Sequence, residues 1–281
     1  MRIKVFDITE YELSKELWLD CFPEDDRAFV DYYYASRSKP EYVLGAFIGD
    51  DPKPKAMMHL IPMKMPFGEE LKDICFIAGV CTKPGSRRKG ICAKLFDSAF
   101  PLIKERGFDA AVLQPFDVGF YRRFGFETFI RRDEYRVSAE RLNKLGRAYD
   151  KPLAPNAEHL SELYSRFMAP FSGYSLRGKG DFERFIKEYT LHGAMLNVTE
   201  NGCCAGYSDG AALFVDELFY LDGTDPVSLL PPGYSEYSFP LPAGDPLSKL
   251  LPHEEKAFSM IKTMSDDFDP FGSQNYGFDK Y

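Results

Sequence analysis

Residues Gly79–Cys92 read GVCTKPGSRRKGIC, and the fold can be read outward from them. An apolar run enters a proline–glycine turn, three consecutive cations follow, and Gly90 precedes Ile91, Leu95, Ala99 and Leu102 at helical spacing. A strand feeding a glycine-bearing loop that opens a helix directs several backbone N–H groups at one point, and the helix dipole adds positive character there. Arg87, Arg88 and Lys89 supplement that field, so the natural guest is a pyrophosphate. A nucleotide-hydrolysing loop would need GxxxxGK[ST], but Ile91 and Cys92 stand where its lysine and hydroxyl belong. A dinucleotide fingerprint, GxGxxG, is absent from this stretch. A third pattern, R/Q-x-x-G-x-G/A, is met by Arg87 to Cys92 except that cysteine replaces its last small residue. The competing explanation is a solvated basic helix start.

On either side of the loop the chain alternates strands and helices, which gives a mixed α/β (α+β) class with a central sheet flanked by helices. Before it, Arg2–Phe6 reads as a strand, Glu12–Cys21 and Asp25–Ser36 as helices, and Tyr42–Ile48 and Lys55–Met65 as strands. Cys75–Thr82 is apolar almost throughout, as a strand covered on both faces should be. After it come a helix from Ile91 that Pro101 should kink, a buried strand Ala110–Leu113, a short helix Val118–Phe124 and a strand from Phe126. The segment Leu142–Pro155, with two prolines and mixed charge, is the expected junction between residues 1–145 and 150–281. Beyond it the pattern gives helices at Ala157–Met168 and Asp181–Leu191. Three strands then turn at Asn201-Gly202 and Asp209-Gly210. This order loosely echoes the first half and stops at Asp222, with no second SRRKG.

Composition narrows the function. The 281 residues are 44% hydrophobic and 28% charged, with 35 basic and 43 acidic side chains and a net charge of −8. Such a balance disfavours nucleic acid and mildly favours cationic partners. No apolar run approaches the roughly 18 residues of a membrane span, and MRIKVFDITEYELSKE lacks a signal core, so a cytoplasmic location is expected. Six cysteines without CxxC pairing and four scattered histidines give no metal-ligand spacing, and no metal is expected.

About thirty residues past the loop, a strand leads into LQPFDVGFYRRFGFE (Leu113–Glu127). Together VCTKPGSRRKGI and FYRRFGFE resemble the GNAT N-acetyltransferase superfamily, and most closely the branch of the enhanced intracellular survival protein. The close resemblance covers roughly Leu44 to Phe126. Beyond residue 150 it is looser, where YSRF, the hairpins and DELFYLD are similar to that branch's second, non-catalytic GNAT-like domain. The branch normally carries a third, sterol-carrier-like domain, for which this length leaves no room. The resemblance implies acetyl-CoA as co-substrate. Val80, Cys81 and Thr82 would lie along its acyl and pantetheine arm. Arg87, Arg88, Lys89, Gly90, Ile91, Cys92 and Ala93 would surround its phosphates, with Phe116 and Asp117 nearby. It further implies Tyr121 as general acid for the departing thiolate and the carboxylate of Tyr281 as general base.

The expected reaction is direct acetyl transfer to a primary amine of a small cationic acceptor, aminoglycoside- or polyamine-like. The expected partners are therefore that small-molecule amine and a second copy in a homo-oligomer, with neither nucleic acid nor membrane. A non-catalytic acyl-CoA-binding regulatory module on the same scaffold is the alternative. A thiol nucleophile at Cys81 or Cys92 is the competing chemistry, with no histidine near either in sequence.

Overall fold

The computed structural model describes residues 1–146, 148–191, 193–272 and 274–277. Strand β1 (Arg2–Val5) is followed by helix α1 (Ile8–Cys21), which starts at Ile8 rather than Glu12 because Asp7 and Glu10 form a capping box. The Asp7 carboxylate accepts from the Glu10 N–H at 2.9 Å, and that of Glu10 accepts from the Asp7 N–H at 3.2 Å. After the Pro23 break comes α2 (Arg27–Ser36), then the antiparallel strands β2 (Val43–Phe47), β3 (Ala56–Phe67) and β4 (Glu70–Thr82). Helix α3 (Ile91–Glu105) continues through Pro101 and returns the chain to β5 (Ala110–Leu113), parallel to β4. A short α4 (Val118–Arg122) leads to β6 (Glu127–Ser138) and α5 (Ala139–Asn143).

The second half begins with α6 (Ala157–Met168) and α7 (Lys179–Leu191). The meander β7 (Met195–Val198), β8 (Gly202–Asp209) and β9 (Ala212–Tyr220) follows. Two further strands, β10 (Glu236–Pro242) and β11 (His253–Thr263), lie past Asp222, where the sequence reading stops. All strands join one eleven-stranded sheet in the order β1-β2-β3-β4-β5-β11-β6-β10-β9-β8-β7. The sheet thus runs unbroken through residues 1–145 and 150–281, because β11 lies between β5 and β6.

Strand alternation sorts the core of the first half into two layers. Met58, Leu60, Cys75 and Ile77 face α3, whose Leu95, Phe96, Ala99 and Ile103 are fully buried. Burying each of the larger three contributes about 1.5–3 kcal/mol. Val43, Phe47, Met57 and Cys81 face α1 and α2, where they meet Trp18, Val30, Tyr33 and Tyr34. In the second half Cys203 points to the layer under α6 and α7, and Cys204 to the opposite layer with Leu229 and Leu241. These neighbouring thiols are therefore packing residues on opposite faces.

The halves also meet outside the sheet. Glu188 on α7 accepts from Arg37 at 3.1 Å and from the Tyr32 hydroxyl. Gly173 donates its N–H to Pro66 O at 2.7 Å, and the Phe268 ring sits edge-on to Phe67 at 4.8 Å. Among the described residues, no helix is long and apolar enough to cross a membrane.

Candidate active site

The parting of β4 from β5 prepares the site. Their parallel ladder pairs Ile74, Cys75 and Phe76 with Ala110, Ala111 and Val112 and goes no further. Beyond Phe76, β4 continues to Thr82 with no strand partner on its β5 side among the described residues, so that edge can pair with an extended ligand. On its other side β4 carries a bulge. Met57 pairs with Cys81 and His59 with Ala78, so Gly79 and Val80 together oppose Met58. Gly79 adopts φ +57, and a Cβ there would stand 2.6 Å from Trp18 Cζ3 and 3.1 Å from His59 Cδ2. The bulge thus needs glycine for both its backbone angle and its space.

Past Thr82 the chain tightens through Pro84–Ser86 and enters α3 by way of Gly90 at φ +74. No side chain caps α3. Its first N–H groups have no acceptor within the helix and open toward the loop. Arg88 has φ +62, the only positive value outside glycine among the described residues. That angle costs a non-glycine residue about 1–2 kcal/mol, and such strain collects at functional loops. Arg87 donates from Nε to Thr82 O at 3.0 Å, which folds the loop back on the strand end.

These elements wall a cleft of about 940 Å³. Val80, Cys81, Thr82, Arg87, Arg88, Gly90, Ile91, Cys92, Ala93 and Phe116 line it, which brings together ten of the positions expected to meet the co-substrate. Lys89 turns away and donates to Gly85 O at 3.2 Å. Asp117 caps α4, accepting from the Phe120 N–H at 2.9 Å, and is not a lining residue. The opposite wall, which the sequence reading missed, consists of Cys21 and Phe22 at the end of α1 and Phe120, Arg123 and Phe124 around α4. Of the two arginines in FYRRFGFE, Arg123 lines the cleft, its guanidinium 4.7 Å from the Phe120 centroid. Among the described residues the lining therefore has three guanidinium groups and no carboxylate. Phe116, 75% exposed, offers an aromatic face at the mouth.

Tyr121 sits just behind this wall at 3% exposure, among Phe96, Phe116, Phe120 and Phe126. Burial pushes its phenol well above the usual tyrosine range, and the neighbouring Cys92 adds to the rise. The group therefore holds its proton at neutral pH, the state a general acid requires. Burial likewise pushes the Cys92 thiol up to about 11, although Arg123 opposes the shift. Cys81 is raised by its hydrogen bond with Cys21 and by burial. Neither Cys81 nor Cys92 is a ready thiolate. Tyr281 lies outside the described residues, and no cluster of three or more metal-ligating side chains occurs among the described ones.

Residues 2–129 match the family model described as an acetyltransferase (GNAT) domain. Among curated proteins, none matches the sequence. Solved structures share the fold across nearly the whole chain. Eis1 from Mycobacterium abscessus superposes with a TM-score of 0.67 at 16% identity, covering 94% of this chain and 74% of that one. A probable N-acyltransferase of Enterococcus faecalis gives 0.72 at 17% identity, covering 94% and 72%. A GCN5-related N-acetyltransferase from Anabaena variabilis gives 0.73 at 16% identity, covering 94% and 73%. Residues 2–129 thus carry a GNAT acetyltransferase domain, which makes the protein an acyltransferase, and the chain as a whole has an Eis-like fold.

Proposed function

We propose that this GNAT acyltransferase takes acetyl-CoA into the cleft between the Gly90 loop and α4. It then passes the acetyl group to a primary amine of a small cationic acceptor in the cytoplasm. The observation that carries the reading is the cleft's charge: Arg87, Arg88 and Arg123 line it, with no acidic side chain among the described lining residues, beside a helix start whose N-cap makes no side-chain hydrogen bond. Polyanionic phosphates fit such a wall, and charge-assisted hydrogen bonds to it are worth about 1.5–3 kcal/mol each. The unpartnered β4 edge from Ile77 to Thr82 offers backbone groups to the amide-bearing pantetheine arm. At its inner end the bulge at Gly79 and Val80 turns backbone out of the ladder, where an N–H can polarise a thioester carbonyl.

Two proton demands remain. An alkylamine of pKa near 10.4 costs about 4.6 kcal/mol to deprotonate at pH 7, and a carboxylate at the cleft can meet that demand, in our reading that of Tyr281. The departing thiolate needs a proton, and Tyr121, buried and protonated behind Phe116 and Phe120, is the group we assign to it. Tyr121→Phe tests the assignment. General acid catalysis contributes about 10²–10⁴-fold, so thiol release with a panel of polyamines and aminoglycosides should fall by that order while acetyl-CoA affinity holds. Equal turnover by the phenylalanine variant refutes the role of Tyr121. Absence of turnover with any amine, despite tight acetyl-CoA binding, refutes the assigned class of acceptor.

A further inference from the structure

The cleft contains a feature that acyl transfer does not use. Cys21, the last residue of α1, and Cys81 of β4 both line it, both are free thiols, and Cys21 packs against the apolar cluster that contains Cys81. The contact is part of a seam: the preceding residue of α1, Asp20, pairs with Lys83 at 3.2 Å, and Lys83 follows Cys81 on the same side of the chain. Cys81 is 7% exposed, while Cys21 is half-buried and reachable from the cleft. Cys92 lines the same cleft and adds to the rise of the Cys81 thiol, to which Cys21 contributes most.

We propose that Cys21 and Cys81 form a peroxide-sensitive dithiol, and that the disulfide between them obstructs the acyl-carrier cleft. The chemistry follows from the asymmetry of the pair. Cys81, raised by its neighbour Cys21 and by burial, keeps its proton. Its interaction with Cys21, together with the Arg87 guanidinium, lowers the Cys21 thiol to about 7. A thiolate at Cys21 attacks one oxygen of a hydroperoxide. The O–O bond breaks, and the other oxygen leaves as alkoxide or hydroxide and takes a proton, so Cys21 becomes a sulfenic acid. The Cys81 sulfur then attacks the Cys21 sulfur and displaces hydroxide, which departs as water with the Cys81 proton. Two thiols and one peroxide give one disulfide, one alcohol or water, and one further water.

A disulfide sets the two sulfurs about 2.05 Å apart, closer than packed thiols stand. The end of α1 must move toward β4, and Phe22, the adjacent lining residue, moves with it. This consequence rests on the assignment of the cleft to the acyl carrier. The full chain is treated with hydrogen peroxide, its intact mass and linked peptides are mapped, and acetyl-CoA binding is measured by calorimetry before and after. Acetyl-CoA is the probe because the free thiol of coenzyme A would itself reduce the bond. We expect loss of two hydrogens, a Cys21–Cys81 linked peptide, and about tenfold weaker acetyl-CoA binding that dithiothreitol restores. In Cys21→Ser and Cys81→Ser the ratio of affinities before and after oxidant should stay near one. Free thiols at both positions after peroxide has oxidised Cys92 overturn the proposal. A mapped disulfide with unchanged affinity overturns the obstruction alone. A reduced protein that does not bind acetyl-CoA overturns the cleft assignment and the obstruction with it.

Discussion

Replacing Gly79 by alanine tests whether the bulge in β4 is held by its packing and used by the reaction. At φ +57 an alanine pays about 1–2 kcal/mol for the left-handed backbone. Its methyl would also stand 2.6 Å from Trp18 Cζ3 and 3.1 Å from His59 Cδ2. Trp18 cannot retreat easily, because its Nε1–H donates to Asp25 at 2.7 Å and its ring is wedged among Phe22, Tyr33 and Tyr34. Overpacking of this kind costs a further 1–3 kcal/mol or so, for a total of about 2–5 kcal/mol. Gly49→Ala is the matched control, since Gly49 has φ +61 and nothing within 4 Å of the added methyl. Urea unfolding of the two variants isolates the packing cost as their difference, and thiol-release kinetics reports on the site. Gly79→Ala should be the less stable by about 1–3 kcal/mol and should lose kcat/KM for acetyl-CoA, while Gly49→Ala keeps it. Equal unfolding midpoints would refute the packing argument. A destabilised Gly79→Ala with wild-type kcat/KM would remove the bulge from the acyl site.

Arg88→Gly should gain up to about 1 kcal/mol of stability by relaxing the φ +62 backbone, yet raise the KM for acetyl-CoA tenfold or more through one lost charged hydrogen bond; stability and KM moving together in the favourable direction would sever the loop from the co-substrate. Glu217→Ala strips the bidentate partner of Arg177, whose guanidinium it meets at 2.7 and 2.9 Å, and should cost about 3 kcal/mol or more in urea unfolding; a loss under 1 kcal/mol would show that the pair adds little. His59 is fully buried, and burial lowers its pKa to about 3, below the 6.5 of an unfolded histidine. The unfolded chain therefore takes up a proton that the native one refuses as pH falls below 6.5, so the contribution is complete above that pH and declines toward pH 3 at up to about 1.4 kcal/mol per unit; His59→Phe should flatten the pH 5–6.5 slope of stability by that amount, and an unchanged slope would reject the buried neutral histidine.

What the sequence made legible is local. Gly85, the three cations and Gly90 encode the loop and helix start within a few residues, and α3, β5 and α6 follow from periodicity over a single element. The strands β10 and β11 leave no comparable trace. Pro240 and Pro242 argue against a strand in any single-segment reading. They are tolerated because the ladder from β10 to β9 ends at Ser238, so beyond it the strand is paired with β6 alone. The first half of β11 is exposed and charged, HEEK, and its register slips around Ser259, which hides the alternation. Its place between β5 and β6 depends on pairing across more than a hundred residues, which no window of sequence contains. The far wall of the cleft is illegible for the same reason, since Phe22 and Arg123 come to line one cleft only after α1 and α4 have been packed on opposite sides of β4. The consequence reaches the chemistry. β11 pairs with both β5 and β6, and these strands flank the α4 segment that bears Tyr121. The spacing between Tyr121 and the parted edge of β4 is therefore fixed by a strand from the other half of the chain.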